Sequence, residues 1–343
     1  MKLIPLYRVR FTYPEGWEIH LASSDSTESQ NFFLAEGVLK AVDDVSFDIS
    51  ENETVALVGE SGCGKTIVAL SIINLVPQPG RIVQGRVVFL NKNLLDLSPQ
   101  RMPEIRGREI GMVFQEPASS LNPVYTVGYQ IIEVLKEHKS LTHHEAETAA
   151  IRLLGETGIS EPEKRAKAYP FELSGGMQQR VAIAIAICAQ PKLLIADEPT
   201  TALDVTVQAE ILDLLRYLQE RYKMAILLIT HDLGVVAEMA QRVLVMYTGK
   251  IVEIASTREL FRNPKHPYTM GLLHSVLRLG AGRDEPLQGI PGSVPDFLKL
   301  PSGCTFHPRC PIGDTSCTSE FPPLLEIAAE RWCACYKVQS EKS

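Results

Sequence analysis

The stretch Gly59-Glu60-Ser61-Gly62-Cys63-Gly64-Lys65-Thr66 constrains the fold of this chain more than any other. It fits G-x-x-x-x-G-K-[ST], a loop that cradles phosphates. Small glycines let backbone N–H groups turn inward as an anion nest, and a helix starting near Lys65 aims its positive end at the same place. Lys65 is then placed for the β- and γ-phosphates, and the Thr66 hydroxyl for Mg²⁺. The flanks agree. Glu53 to Val58 reads as a buried strand, and Ile67 to Leu75 as a buried helix.

The rest of the chain follows the same alternation. Ile110–Phe114, Lys192–Asp197 and Met224–Ile229 read as core strands, with Gln115 at the end of the first. Met177–Ala189 reads as a buried helix and Val207–Tyr222 as an amphipathic one. Strands alternating with helices predict an α/β fold with a mainly parallel sheet. Leu3–Phe11 and Val42–Ile49 alternate as an antiparallel layer, Arg86–Leu90 is a further strand, and Ser23–Asn31 is a polar loop. From Thr126 to about Lys167, Val127, Ile131, Ile132, Val134, Leu135, Ala149, Ile151, Leu153 and Leu154 recur at helical spacing, which predicts a helical subdomain inserted into the core. Gln241–Ile254 reads as one or two strands turning at Thr248-Gly249-Lys250, and Gly280-Ala281-Gly282 ends a helix. The last 60 or so residues, rich in Pro and Cys, read as too irregular for a further sheet domain.

Two further motifs carry chemistry. Asp197 and Glu198 end an apolar strand, where an acid holds Mg²⁺ and its neighbour orients or deprotonates water. Leu173-Ser174-Gly175-Gly176-Met177-Gln178 precedes an apolar helix and makes a second anion-binding helix start, or a plain serine cap. Two such sites more than 100 residues apart suggest that each meets a different copy of the nucleotide.

On these motifs the chain resembles the ATP-binding subunits of ABC transporters, from residue 1 to about 265. Leu173–Gln178 is similar to their signature, with Met177 where many members have Gln. The resemblance implies Gln115 as the Q-loop residue, Asp197 as Walker B, Glu198 as catalytic base, Asp204 as D-loop and His231 as switch histidine. ATP would be held by Gly59, Glu60, Ser61, Gly62, Cys63, Gly64, Lys65 and Thr66, and Mg²⁺ by Thr66, Asp197 and Gln115. Tyr13 is the expected adenine partner, with Phe11, Trp17, Phe32 and Phe33 as competitors. The expected fold is thus a P-loop ABC ATPase core with an antiparallel β layer and a helical subdomain at about 116–175. A Cys-rich, irregular extension is expected over 266–343.

The tail narrows the resemblance. Asn263–Thr269, Pro291–Pro295 and Cys304–Pro311 look like the oligopeptide/dipeptide importer branch. Five of the seven cysteines lie between Cys304 and Cys335. In a reducing compartment such a cluster favours a metal over disulfides. Its spacings are wider than the C-x₂₋₄-C pairs of structural zinc, and thiolate-only sets suit iron–sulfur clusters. Zinc and no metal stay open. Some members of this branch carry a [4Fe-4S] cluster here, which implies Cys304, Cys310 and Cys317 as ligands with Cys335, or else Cys333.

A net charge of −7 argues against a general nucleic-acid partner. The longest apolar run, Val181–Ala189, is half of a membrane span, and the N-terminus has too short an apolar core for a signal peptide. The expected setting is therefore the cytoplasmic face of the inner membrane, reached through partners. The resemblance implies a second ABC ATPase chain, identical or different, two membrane permease subunits and an extracytoplasmic substrate-binding protein. The implied activity is MgATP hydrolysis driving di- or oligopeptide import, with nickel or oligosaccharide as alternative cargo. A soluble ABC ATPase of repair or translation is set aside because long coiled coils and a second ATP unit are missing. A redox-sensing subunit is disfavoured by the presence of Glu198 and His231.

Overall fold

The structure is a computed structural model and describes residues 9–11, 39–78, 80–275 and 289–340. The strands are β1 (Val9–Phe11), β2 (Val45–Phe47), β3 (Thr54–Val58), β4 (Val88–Phe89), β5 (Lys92–Asn93) and β6 (Ile110–Val113). They continue with β7 (Leu193–Asp197), β8 (Ala225–Thr230), β9 (Arg242–Tyr247), β10 (Lys250–Ser256), β11 (Leu325–Ala328) and β12 (Arg331–Cys333). The helices are α1 (Lys65–Ile72), α2 (Pro117–Ser120), α3 (Val127–His138), α4 (His143–Glu156), α5 (Pro162–Arg165) and α6 (Gly175–Ile187). After them come α7 (Val205–Tyr222), α8 (Leu233–Met239), α9 (Thr257–Arg262), α10 (Pro267–His274) and α11 (Tyr336–Ser340). The chain divides into two compact units, one built mainly on Asp96–Thr230, the other on Val55–Leu95 and the chain from His231 onward.

In the first unit β6, β7 and β8 pair in parallel, with Ile110 beside Leu193 and Leu193 beside Ala225. Every residue of β7 and β8 is buried, which is why these strands are continuous apolar runs rather than alternating ones. Helix α6 lies tight against β6: a Cβ at Gly111 would sit 2.2 Å from the Ala186 carbonyl oxygen. Thr126 and Thr142 cap α3 and α4, the latter in a capping box with Glu145. Val127, Ile131 and Leu135 bury one stripe of α3, as their spacing predicts. On α4 the buried positions are Ala146, Ala150, Leu153 and Leu154. Leu153 and Leu154 are thus inward as expected, whereas Ala149 and Ile151 are only half-buried.

In the second unit β3 runs parallel to β9, and β9 returns as β10 through Thr248 and Gly249, both at positive φ (41° and 81°). β1 pairs antiparallel with β2, as the alternation predicts. The tail departs from expectation. Rather than staying wholly irregular, it returns as β12, which pairs antiparallel with β10, and β11 pairs with β12. Both strands are short, three and four residues, and cysteines and prolines around them hide the pattern. Tyr247, Tyr268 and Phe306 pack into one aromatic cluster, with ring centroids 4.6 to 5.4 Å apart. This cluster pins the tail to β9.

Candidate functional site

The phosphate loop lies in the second unit, between β3 and α1. Its glycines are required by geometry. Gly64 caps α1 at φ 105°, and Cβ atoms at Gly59 and Gly64 would meet the Met246 and Ala41 carbonyl oxygens at 2.2 and 2.3 Å. Lys65 is buried and folds back, its Nζ donating to the Gly59 and Glu60 carbonyls at 2.9 and 3.1 Å. Thr66 is exposed at the start of α1. The loop thus has the turned backbone of an anion nest, with its lysine held by the loop's own carbonyls.

The loop has partners far along the chain that its local sequence does not announce. The Glu60 backbone N–H donates to the Tyr268 hydroxyl at 2.8 Å, across 208 residues. Arg309 donates to both Glu60 carboxylate oxygens, at 2.8 and 3.0 Å, across 249 residues. The hydrogen bonds to Glu60 hold the Arg309 guanidinium pKa above its ordinary value.

The acidic pair lies in the first unit. Asp197 ends β7 and is buried. At Glu198 the backbone turns into the left-handed region (φ 48°), and its N–H donates to the Ile229 carbonyl at 2.8 Å. Its Oε2 accepts from Gln115 Nε2 and from Thr201 Oγ1, both at 2.9 Å. Gln115 and Glu198 are therefore brought together as one polar pair. Thr201 joins them, although only its position after the acidic pair hints at a role. Ser174 caps α6 and accepts from the Met177 N–H at 3.4 Å. Gln178 closes the loop behind it, donating to the Pro170 and Leu173 carbonyls at 2.9 and 3.2 Å. Ser174 and Gly175 are exposed, and Gly176 is packed so that a Cβ there would meet Val207 at 2.8 Å. Asp204 caps α7, its Oδ1 accepting from the Val207 N–H at 3.0 Å. His231 follows β8 and is exposed. Tyr13, with Trp17, Phe32 and Phe33, lies outside the described residues, as do Ser23–Asn31 and Gly280–Gly282.

Cys304, Cys310, Cys317 and Cys335 line one pocket, together with His266 and His307. Cys333 is buried on β12 and is not among its lining residues. Burial pushes the Cys304 thiol up to about 11, and Cys335, Cys317 and Cys310 add to the shift. Donor chemistry suits a soft metal. Among the described residues no group of three or more His, Cys, Asp or Glu is drawn together closely enough to hold an ion as the side chains stand. The pocket's volume is about 10 Å³, room for about one water molecule.

His266 closes this pocket and caps α10, its Nδ1 accepting from the Tyr268 N–H at 3.1 Å. Burial pushes its pKa down to about 3. The folded ring therefore stays neutral where an unfolded one, titrating near 6.5, takes up a proton. Its contribution to stability is full above pH 6.5 and is lost as pH falls from 6.5 toward 3. Between pH 7.5 and 5.5 the loss is expected to be about 1.4 kcal/mol. His266→Asn keeps a capping acceptor and removes the titration, so urea midpoints at the two pH values should lie closer together. An unchanged difference would assign the effect elsewhere.

Among the described residues no helix is long and apolar enough to cross a membrane. Residues 42–201 match the family model described as ABC transporter, and residues 252–317 match that of the oligopeptide/dipeptide transporter C-terminal region. The chain is 50% identical to the oligopeptide transport ATP-binding protein AppD of Bacillus subtilis, over 90% of this chain and 94% of that protein. It is 46% identical to the dipeptide transport ATP-binding protein DppD of Haemophilus influenzae, over 85% and 88% of the two chains. Among solved structures it matches the ATP-binding cassette MJ0796, determined as a dimer in a post-hydrolysis state with ADP and Pi. That match has a TM-score of 0.61 at 26% identity and covers 73% of this chain and 98% of that one. The chain belongs to the ABC transporter family as one of its ATP-hydrolysing, ATP-binding subunits, in the branch that carries the oligopeptide/dipeptide transporter C-terminal region.

Proposed function

We propose that this subunit powers the import of di- or oligopeptides. The observation that carries this reading is the oligopeptide/dipeptide C-terminal region at 252–317, joined to an intact set of ATPase motifs. Lys65 and Thr66 would hold the phosphates and Mg²⁺ together with Asp197, a set of hard oxygen donors and a cation suited to both. Mg²⁺ would neutralise charge on the transferred phosphoryl group. Glu198 would take the proton of the attacking water, with Gln115 and His231 orienting it. Ser174, Gly175 and Gly176 of one chain would complete the site of a second ATPase chain, packed head to tail. The exposure of Ser174 and Gly175 supports that reading.

In this reading residues 1–265 act as the nucleotide-binding domain, the helices within 116–175 form its helical subdomain, and 266–343 the extension. Closing of the pair would be passed to two permease subunits through those helices, at the cytoplasmic face of the inner membrane. A substrate-binding protein would deliver the cargo from outside. The finer reading of the tail is a [4Fe-4S] cluster on Cys304, Cys310, Cys317 and Cys335, supported by their sharing one pocket.

One anaerobic preparation of the chain with its co-purifying membrane subunits tests both readings. In vesicles, ATP-dependent uptake of a labelled tripeptide, with no uptake of nickel or an oligosaccharide, is expected. Uptake of either of those instead would overturn the cargo. About four irons and four sulfides per chain are expected of the cluster, and zinc or no metal would overturn it.

A further inference from the structure

We propose that Arg309 is a positioning residue for the nucleotide site, gripping the phosphate loop at Glu60 from the C-terminal region. Glu60 occupies a position of the loop pattern that phosphate chemistry leaves free, and an acid there is unfavourable. A carboxylate beside bound phosphates repels them and, if mobile, competes for the loop's donors. The structure answers that problem. Arg309 is nearly buried, with a side chain 6% exposed. It takes both Glu60 oxygens in a two-pronged grip at 2.8 and 3.0 Å, the geometry that suits guanidinium and carboxylate.

The grip is itself held. Arg309 Nε donates to the Pro291 carbonyl at 2.9 Å and Nη1 to the Tyr247 hydroxyl at 3.3 Å. Tyr268, packed on Tyr247 and Phe306, fixes the Glu60 N–H at the same time. Glu60 is thus held at its side chain by Arg309 and at its N–H by Tyr268, while its carbonyl accepts from Lys65. The tail cancels the charge of Glu60 and fixes the carbonyl against which Lys65 is oriented. Arg309 touches no substrate in this scheme. It acts through Glu60 and Lys65.

The inference rests on the reading of this loop as the ATP site. The test is equilibrium binding of fluorescent MgATP to the full chain, with Tm recorded for each variant. Arg309→Ala is expected to raise Kd about tenfold, since it leaves a lone carboxylate at the loop. Adding Glu60→Ala to that variant should recover most of the loss, because the unpaired acid is gone. Arg309→Lys keeps the charge without the two-pronged grip and should raise Kd about threefold, which keeps the proposal testable if Arg309→Ala does not fold. A Kd within twofold of wild type in both single variants overturns the proposal. So does a loss that Glu60→Ala leaves in full, which would make Arg309 a purely structural residue. Failure of the wild-type chain to bind MgATP would instead overturn the ATP-site reading.

Discussion

Glu198→Gln is expected to leave MgATP binding within about threefold of wild type and to slow hydrolysis by roughly 100- to 10,000-fold, the range of a lost general base. The substitution is nearly isosteric, and the local geometry accommodates it. The single oxygen Oε2 accepts from both Gln115 Nε2 and Thr201 Oγ1, and the amide oxygen of glutamine can accept both bonds. The backbone at φ 48° is anchored by the N–H to Ile229, not by the carboxylate. What disappears is the negative charge and with it the capacity to take a proton. The two chains should then stay closed on ATP instead of cycling. Phosphate release at steady state, set beside nucleotide retained on the purified chain, measures both effects. Turnover equal to wild type would remove Glu198 from the role of base. Turnover lost together with nucleotide binding would indicate damage to the fold instead.

Arg331→Met is expected to destabilise the chain by about 3 kcal/mol, the low end for breaking a buried ion pair. Arg331 on β12 and Glu253 on β10 are almost wholly buried, side chains 7% and 0% exposed, at 3.2 Å. The same guanidinium also bonds the Asn263 carbonyl and Glu259. Without it Glu253 keeps the N–H groups of Lys265 and His266, at 2.9 and 2.8 Å, which moderates the loss. Adding Glu253→Gln should recover about 1 kcal/mol, because the stranded charge is gone, but no more than that, because the amide oxygen keeps only one of the two N–H groups, which bond different carboxylate oxygens. A melting curve reads this as a fall of roughly 4 °C for the single variant. A shift under 1 °C would mean that solvent reaches Glu253 and that β12 is held by backbone pairing alone.

Much of the first unit is legible in the sequence because its signals are local. Leu193–Asp197 is a buried run ending in an acid, with Glu198 next to it, and it is β7 with Asp197 at its end. In the second unit the loop glycines expected to turn N–H groups inward do turn the backbone, with Gly62 and Gly64 at φ 80° and 105°. Ser174 reads as a possible cap, and it is one. What depends on distant partners is not legible. Nothing near Gln115 says that its amide meets Glu198, 83 residues away. Nothing near Glu60 points to Arg309. The tail defeats sequence reading for another reason. Arg331-Trp332-Cys333 is too short to show alternation, and its strand character comes from the β10 edge waiting for it.

That edge has a consequence for the chain's solubility. Without β12, β10 would present a row of unpaired N–H and C=O groups over a buried, apolar strand (Lys250–Ser256). Such a row is a template for pairing with another molecule. The tail caps it, and the new outer strand β11 is poorly suited to propagate the sheet. It is four residues long, largely exposed, carries Glu326, and breaks register between Glu326 and Ala328. The C-terminal segment therefore also works as a guard against self-association, sealing the hairpin that carries Tyr247 before it can recruit a neighbour.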